Sequence, residues 1–171
     1  MAGAIEDRRR MSGPVKSAVT LGVFLLLAFL VGGVGGGVTQ SAMAEWYPSL
    51  TKPRLTPPDA VFGIAWTILF VTMSVAAWLA WREGWREPAI VKGALRLHFS
   101  QLLVNMSWSV VFFGLRAPAW ALPVIALLWY LTARMAGEYA RVSAIAWWLS
   151  VPYMMWIGFA AYLNIMIVAL N

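Results

Sequence analysis

His98, Gln101, Asn105, Trp108 and Phe112 recur at spacings of 3, 4, 3 and 4, which places all five on one stripe of a helix. The helix carrying them is otherwise apolar. Carboxamides in hydrocarbon are costly unless paired, so this stripe must face a bundle interior or a cavity. Gln101 and Asn105 beneath a tryptophan read as the wall of a pocket able to orient a ligand by hydrogen bonding. The competing account is interhelical glue, each amide bonding a neighbouring helix for about 0.6 kcal/mol.

Two other segments repeat the theme without the amides. Phe62, Trp66, Met73 and Ala77 share a face, as do Tyr153, Trp156, Ala160 and Asn164. Alone, each face is compatible with ordinary packing. Together, three such faces suggest an aromatic-lined cavity with few polar groups, the usual make-up of a small-molecule site.

Other chemistries find little support. The one histidine, His98, has no second histidine or cysteine to share a metal, and no acidic pair lies inside an apolar segment. A structural or interfacial role for His98 outweighs haem ligation. No Ser-His-Asp arrangement, phosphate-cradling glycine loop or intramembrane charge of the ion-pump kind is present. Glu45 and Asp59 read as boundary charges or helix caps.

The elements that position these faces follow from composition. The chain is 61% hydrophobic and 12% charged over 171 residues, against about 25% charged in a soluble domain. Its solvent is a bilayer. At about 20 apolar residues per span, five segments qualify: about Ser17–Thr39, Asp59–Trp81, Leu95–Leu115, Pro118–Gly137 and Ser143–Leu170. The expectation is an all-α membrane protein: one domain over residues 1–171, a bundle of five transmembrane helices. A basic tail (1–16) precedes it, and a proline-rich lid loop (40–58) follows the first helix. Arg8–Arg10, the apolar run from Leu21 and Ala42-Met43-Ala44 also mimic a cleaved secretory signal, but the run is too long for one and reads as a retained helix. Within it, Gly32/Gly36 and Gly33/Gly37 are spaced for close helix approach, inside the bundle or between subunits.

Ten cations fall on the side of the N-terminus (Arg8, Arg9, Arg10, Lys16, Arg82, Arg86, Lys92, Arg96, Arg134, Arg141) and three on the other (Lys52, Arg54, Arg116). In a bacterial inner membrane the positive-inside rule puts the N-terminus in the cytoplasm and the loop outside. The cations cluster beside apolar runs rather than forming a stripe with aromatics, so the pI near 10.2 does not indicate nucleic acid. Of 11 tryptophans, Trp81, Trp85, Trp147 and Trp148 suit an interfacial belt. Trp66, Trp108 and Trp156 lie too deep for that duty.

The series Trp46-Tyr47, Leu50, Lys52-Pro53, Pro57-Pro58, Phe62, Trp66, then Gln101, Asn105, Trp108, Phe112-Phe113-Gly114, then Pro152-Tyr153, Trp156, Ala160, Leu163-Asn164 resembles the tryptophan-rich sensory protein/translocator protein (TspO/MBR) family, which includes the peripheral-type benzodiazepine receptor. The match covers about residues 45–164. The resemblance implies a five-helix bundle, often a homodimer, whose cavity is capped by the loop after the first helix and binds porphyrin, haem, sterols or isoquinoline carboxamides. It carries pocket roles to Tyr47, Pro53, Trp66, Asn105, Trp156 and Ala160. Some relatives live in outer membranes of bacteria or mitochondria. The chain departs from the family at Arg54-Leu55, where relatives commonly place a tryptophan, and at Phe70, where a tyrosine is common. It also lacks a cation after Tyr153 for the animal sterol pattern; Leu128-Trp129-Tyr130 with Arg134 fits that pattern only loosely. These departures favour a porphyrin over cholesterol.

The expected ligand-binding set is therefore Tyr47, Lys52, Pro53, Arg54, Phe62, Trp66, Gln101, Asn105, Trp108, Tyr153, Trp156 and Ala160. Lys52 and Arg54 would meet propionate carboxylates at the mouth. The expected function is a membrane receptor or carrier for a tetrapyrrole, with no cofactor or metal required. The alternatives are light- or oxygen-dependent porphyrin breakdown, in which Trp66 and Trp156 would take part, and a membrane scaffold.

Overall fold

A computed structural model describes residues 13–171; Arg8–Arg10 lie outside the described residues. Among the described residues five helices follow in order: α1 (Pro14–Glu45), α2 (Asp59–Arg82), α3 (Pro88–Ser109), α4 (Pro118–Ala140) and α5 (Ala144–Leu170). A 3₁₀ turn (Tyr47–Ser49) lies between α1 and α2, and a π-helical turn (Val110–Gly114) closes α3. Among the described residues no strand forms. Four helices, α1, α2, α4 and α5, are long and apolar enough to cross a membrane. In α3, Lys92, Arg96, His98, Gln101 and Asn105 lower the mean hydropathy.

Helix starts and stops follow local chemistry. Pro14, Pro88 and Pro118 occupy first-turn positions, where a missing N–H costs nothing. Ser143 caps α5, its Oγ accepting from Ala146 N–H at 3.3 Å. The first helix runs six residues past the expected end at Thr39. Its five central glycines weaken it, at roughly 1 kcal/mol each against alanine, but no proline interrupts it before Pro48. Thirty-two residues at 1.5 Å each span about 48 Å, more than a hydrocarbon core of about 30 Å. Residues 40–45 are therefore helical, and the lid loop begins at Trp46.

The bundle divides into two packed zones. Around the lid end lie Tyr47, Phe70, Trp108, Phe112, Tyr153 and Ile157, with Trp66 and Trp156 against them. Around the other end, Ala76, Ala77, Ala80, Ala94 and Ala146 pack with Met135 and Tyr139. α1 meets α2 through Trp78 Nε1 donating to the Ser17 carbonyl at 3.0 Å and Ser74 Oγ donating to the Phe24 carbonyl at 3.3 Å. It also meets α2 at Gly32, where any Cβ would collide with the Phe70 ring. Gly35 is the second close approach, 3.3 Å from Ser109 Oγ for an added Cβ. Gly33, Gly36 and Gly37 meet nothing within 4 Å. The glycine run thus serves packing inside the bundle at two positions, and leaves open space at three.

Candidate functional site

Between α1 and α2, under the lid, lies a cavity of about 640 Å³. That is within the range of about 300–1,000 Å³ of small-molecule sites. Its wall takes Phe62, Trp66 and Phe70 from α2, Asn105 and Trp108 from α3, Trp156, Ala160 and Asn164 from α5, and Tyr47 from the lid. α1 contributes glycines, Thr39, Gln40 and Met43. Exposed lining residues on the facing sides of α1 (Gly33, Gly36, Gln40) and α2 (Gly63, Thr67) leave the cavity unsealed between these helices.

The aromatic rings form two clusters that line the same cavity, one on α2 and α5 and one around the end of α3. Trp66 stacks on Phe70 at 5.7 Å between centroids and meets Trp156 edge-to-face at 6.4 Å. Trp108 lies 5.3 Å from Phe112, and Phe112 packs on Phe113 at 4.6 Å. Both phenylalanines line the cavity, although neighbouring residues in an α-helix point about 100° apart. The π-helical turn packs more residues into each turn and narrows that angle. Its signature is Leu115 N–H donating to the Val110 carbonyl five residues back, at 2.8 Å. Nothing in the side-chain periodicity marks such a turn in advance. The chain then reverses at Arg116, a non-glycine residue with φ of 52°, whose guanidinium reaches Glu45 at 3.4 Å on the surface.

The whole stripe from His98 to Phe112 is buried, but its polar members do different jobs. Tyr153 Oη donates to Gln101 Oε1 at 2.7 Å, and Asn105 Nδ2 donates to Tyr153 Oη at 3.1 Å. Gln101 Nε2 also reaches Met73 Sδ at 3.7 Å. Gln101 and Tyr153 are absent from the lining: they stand behind it and hold Asn105 in place. Asn105 lines the cavity, and with one N–H engaged its carbonyl oxygen remains available. A second relay, Trp108 Nε1 to Asn164 Oδ1 at 3.2 Å and Asn164 Nδ2 to the Pro118 carbonyl at 2.8 Å, locks the indole in the wall. Trp156 Nε1 is a buried donor with no partner. His98 packs edge-on against Phe24 and Phe99 at 5.8 and 5.4 Å, outside the cavity wall.

The lid is held at several points. Tyr47 is buried, 5.8 Å from Phe113. Its phenol pKa is pushed up to about 12 by burial and then by the negative charge of Asp59, so at neutral pH it stays an O–H donor. Asn171 clamps the loop backbone: Thr51 N–H donates to Asn171 Oδ1 at 2.9 Å, and Asn171 Nδ2 donates to the Thr51 carbonyl at 3.1 Å. Thr56 Oγ1 closes the turn on the Pro53 carbonyl at 2.8 Å.

Of the residues expected from sequence, seven line the cavity: Tyr47, Phe62, Trp66, Asn105, Trp108, Trp156 and Ala160. Pro53 is buried within the loop and Arg54 is exposed at its turn; neither lines the wall. Lys52 lies with Nζ 4.5 Å above the Tyr47 ring, at one remove from the cavity. The charged residue in the lining is Asp59, which sequence reasoning assigned to a boundary. The signal was available: Asp59, Phe62, Gly63, Trp66 and Thr67 share one helical face. Among the described residues no three of His, Cys, Asp and Glu come together.

Comparison with known proteins agrees with this architecture. Residues 24–170 match the TspO/MBR family. The chain is 38% identical over 156 residues to the tryptophan-rich protein TspO of Chlorobaculum tepidum, covering 91% of this chain and 98% of that one. It is 36% identical over 151 residues to the tryptophan-rich sensory protein of Cereibacter sphaeroides (86% and 91%), and 35% identical over 143 residues to the translocator protein of Bos taurus (82% and 83%). With four helices able to span a bilayer and a match over most of its length, this chain is an integral membrane protein that belongs to the TspO/MBR family.

Proposed function

We propose that the protein binds a planar tetrapyrrole, a porphyrin or haem, in the cavity beneath the lid, and acts as a membrane receptor or carrier for it. The observation that carries this reading is the pairing of two aromatic clusters lining one cavity with the Asn105 carbonyl oxygen, an acceptor on a buried side chain left without a partner among the described residues. Trp66, Trp108 and Trp156 offer broad ring faces, each side chain burying about 150–250 Å² when covered. The Asn105 carbonyl oxygen supplies a directional hydrogen-bonding group in an otherwise apolar wall. The relatives' names, translocator and sensory protein, support transport or sensing as the use to which binding is put.

In this reading five helices cross the membrane. α3 falls short on hydropathy because its polar stripe is turned inward, where Gln101 and Asn105 are hydrogen-bonded. The basic end faces the cytoplasm of an inner membrane by the positive-inside rule; an outer membrane is the alternative that the family resemblance supplies. The ligand's apolar ring lies deep, and its propionates point outward past Asp59 towards Lys52 on the lid.

Quenching of tryptophan fluorescence by protoporphyrin IX tests the assignment. Saturable quenching is expected, weakened about tenfold in N105A, the upper range for one hydrogen bond, and several-fold in W66F and W156F. Parent-level binding in all three would overturn it. Asp59→Asn should tighten protoporphyrin IX but not its dimethyl ester, because only the free acid brings carboxylates past that charge.

A further inference from the structure

The end of the bundle opposite the lid carries a second concavity of about 560 Å³, between the start of α1, the end of α2 and the first turns of α3. Four cations line it: Lys16, Arg82, Lys92 and Arg96. None is paired with a carboxylate among the described residues. Glu83 pairs instead with Arg86 at 3.6 Å, and neither Glu83 nor Glu87 lines the groove. Two of the four have settings anchored by Trp78. Trp78 Nε1 donates to the carbonyl and hydroxyl of Ser17, at 3.0 and 3.2 Å, which fixes the backbone beside Lys16. Arg82 lies over the Trp78 ring at 4.9 Å. Gly84 lets the α2–α3 loop press against Val91, since an added Cβ would sit 3.0 Å from the Trp81 carbonyl and 3.5 Å from the Val91 side chain.

The groove is amphipathic along its length. Lys92 and Arg96, four residues apart, share a face of α3 with Leu95 and Phe99, so a charged mouth passes into an apolar channel. The first turn of α3 has no side-chain cap, and its free N–H groups add positive potential at the same place. Trp81 and Trp85 also line the groove, and indoles favour the headgroup level. A free phosphate would use the cations and leave the channel empty; a zwitterionic lipid would bring its own cation into a site already holding four.

We propose that this groove binds the phosphodiester headgroup of an anionic phospholipid, with its acyl chains laid along Leu95 and Phe99. The site is separate from the lid-end cavity, and its test does not depend on what that cavity holds. Native mass spectrometry of the full-length protein in detergent, titrated with dioleoylphosphatidylglycerol or dioleoylphosphatidylcholine, reads occupancy directly. The parent should retain the glycerol lipid about tenfold more tightly than the choline lipid. R82Q/K92Q/R96Q should abolish that preference, while the charge-keeping R82K/K92R/R96K and the control R116Q/R134Q/R141Q keep it. Equal retention of the two lipids overturns the proposal, as does equal loss in the control. Displacement of the glycerol lipid by millimolar inorganic phosphate also overturns it, because the site would then take phosphate alone.

Discussion

The two ends of the bundle are built from the same helices and solve opposite problems. Away from the lid, α2, α3 and α5 present Ala76, Ala77, Ala80, Ala94 and Ala146, all fully buried, and small side chains let helix axes close up. At the lid end, the next turns carry Phe62, Trp66, Trp108 and Trp156. Rings of that size hold the helices apart, and α1 answers with glycines that fill none of the resulting space. The cavity lies at the end lined by large rings and glycines, and the alanine-rich end is closed, so residue size tracks where the space is left.

The largest test of this contrast adds the same volume to each end. Ala77 has no exposed surface, and Ala77→Leu overpacks a closed zone, with an expected cost of about 1–3 kcal/mol. Ala160→Leu grows into the cavity and should cost much less stability while weakening ligand binding. Thermal unfolding in detergent, paired with porphyrin quenching, separates the two. If both variants lose stability equally, the lid-end cavity is already closed and residue size does not place it.

The second test concerns the polar wall. Tyr153→Phe removes the donor to Gln101 and the acceptor for Asn105 without changing the ring. A buried amide oxygen left unpaired costs about 1–3 kcal/mol. Binding should also fall several-fold, since Asn105 loses its anchor. Unchanged affinity alongside lower stability would make Asn105 independent of its support and reassign the pair to packing alone.

Much of this was legible in the sequence because the membrane imposes strict rules. Hydropathy and length predict five helices, missing the α1 end at Glu45 and the α3 start at Pro88 by six and seven residues, and a 3.6-residue period puts Gln101, Asn105 and Trp108 on the buried face. What periodicity does not supply is partnership. Gln101 and Asn105 look alike in sequence, yet one is consumed by Tyr153 behind the wall and the other is left facing the cavity. Which amide is glue and which is site depends on a tyrosine 52 residues away from Gln101. The lid was harder. Four prolines predict a stiff loop, but which face of it meets the cavity turns on the extra helical residues to Glu45, on the π-helical turn at Phe112 and on Asn171. Each is a tertiary effect. Hence Lys52 and Arg54, the expected mouth cations, stand off the wall, while Asp59 stands in it.

The smallest expected effect concerns the lid's own anchor, among the described residues the only side chain that grips the loop backbone at both its N–H and its carbonyl. The Asn171 amide holds Thr51 as a neighbouring strand would, and both residues are exposed, so each bond sits at the weak end of about 0.5–1.5 kcal/mol. Asn171→Ala should leave the melting temperature almost unchanged, because the aromatic contacts of Tyr47 remain. It should raise hydrogen exchange at the Thr51 amide about fivefold, the signature of local opening with global stability intact. Porphyrin dissociation should quicken in proportion if the lid controls release. Faster exchange with unaltered dissociation would instead send the ligand out through the unsealed flank between α1 and α2, past Gly36 and Gly63, and would turn the lid from a gate into a fixed roof.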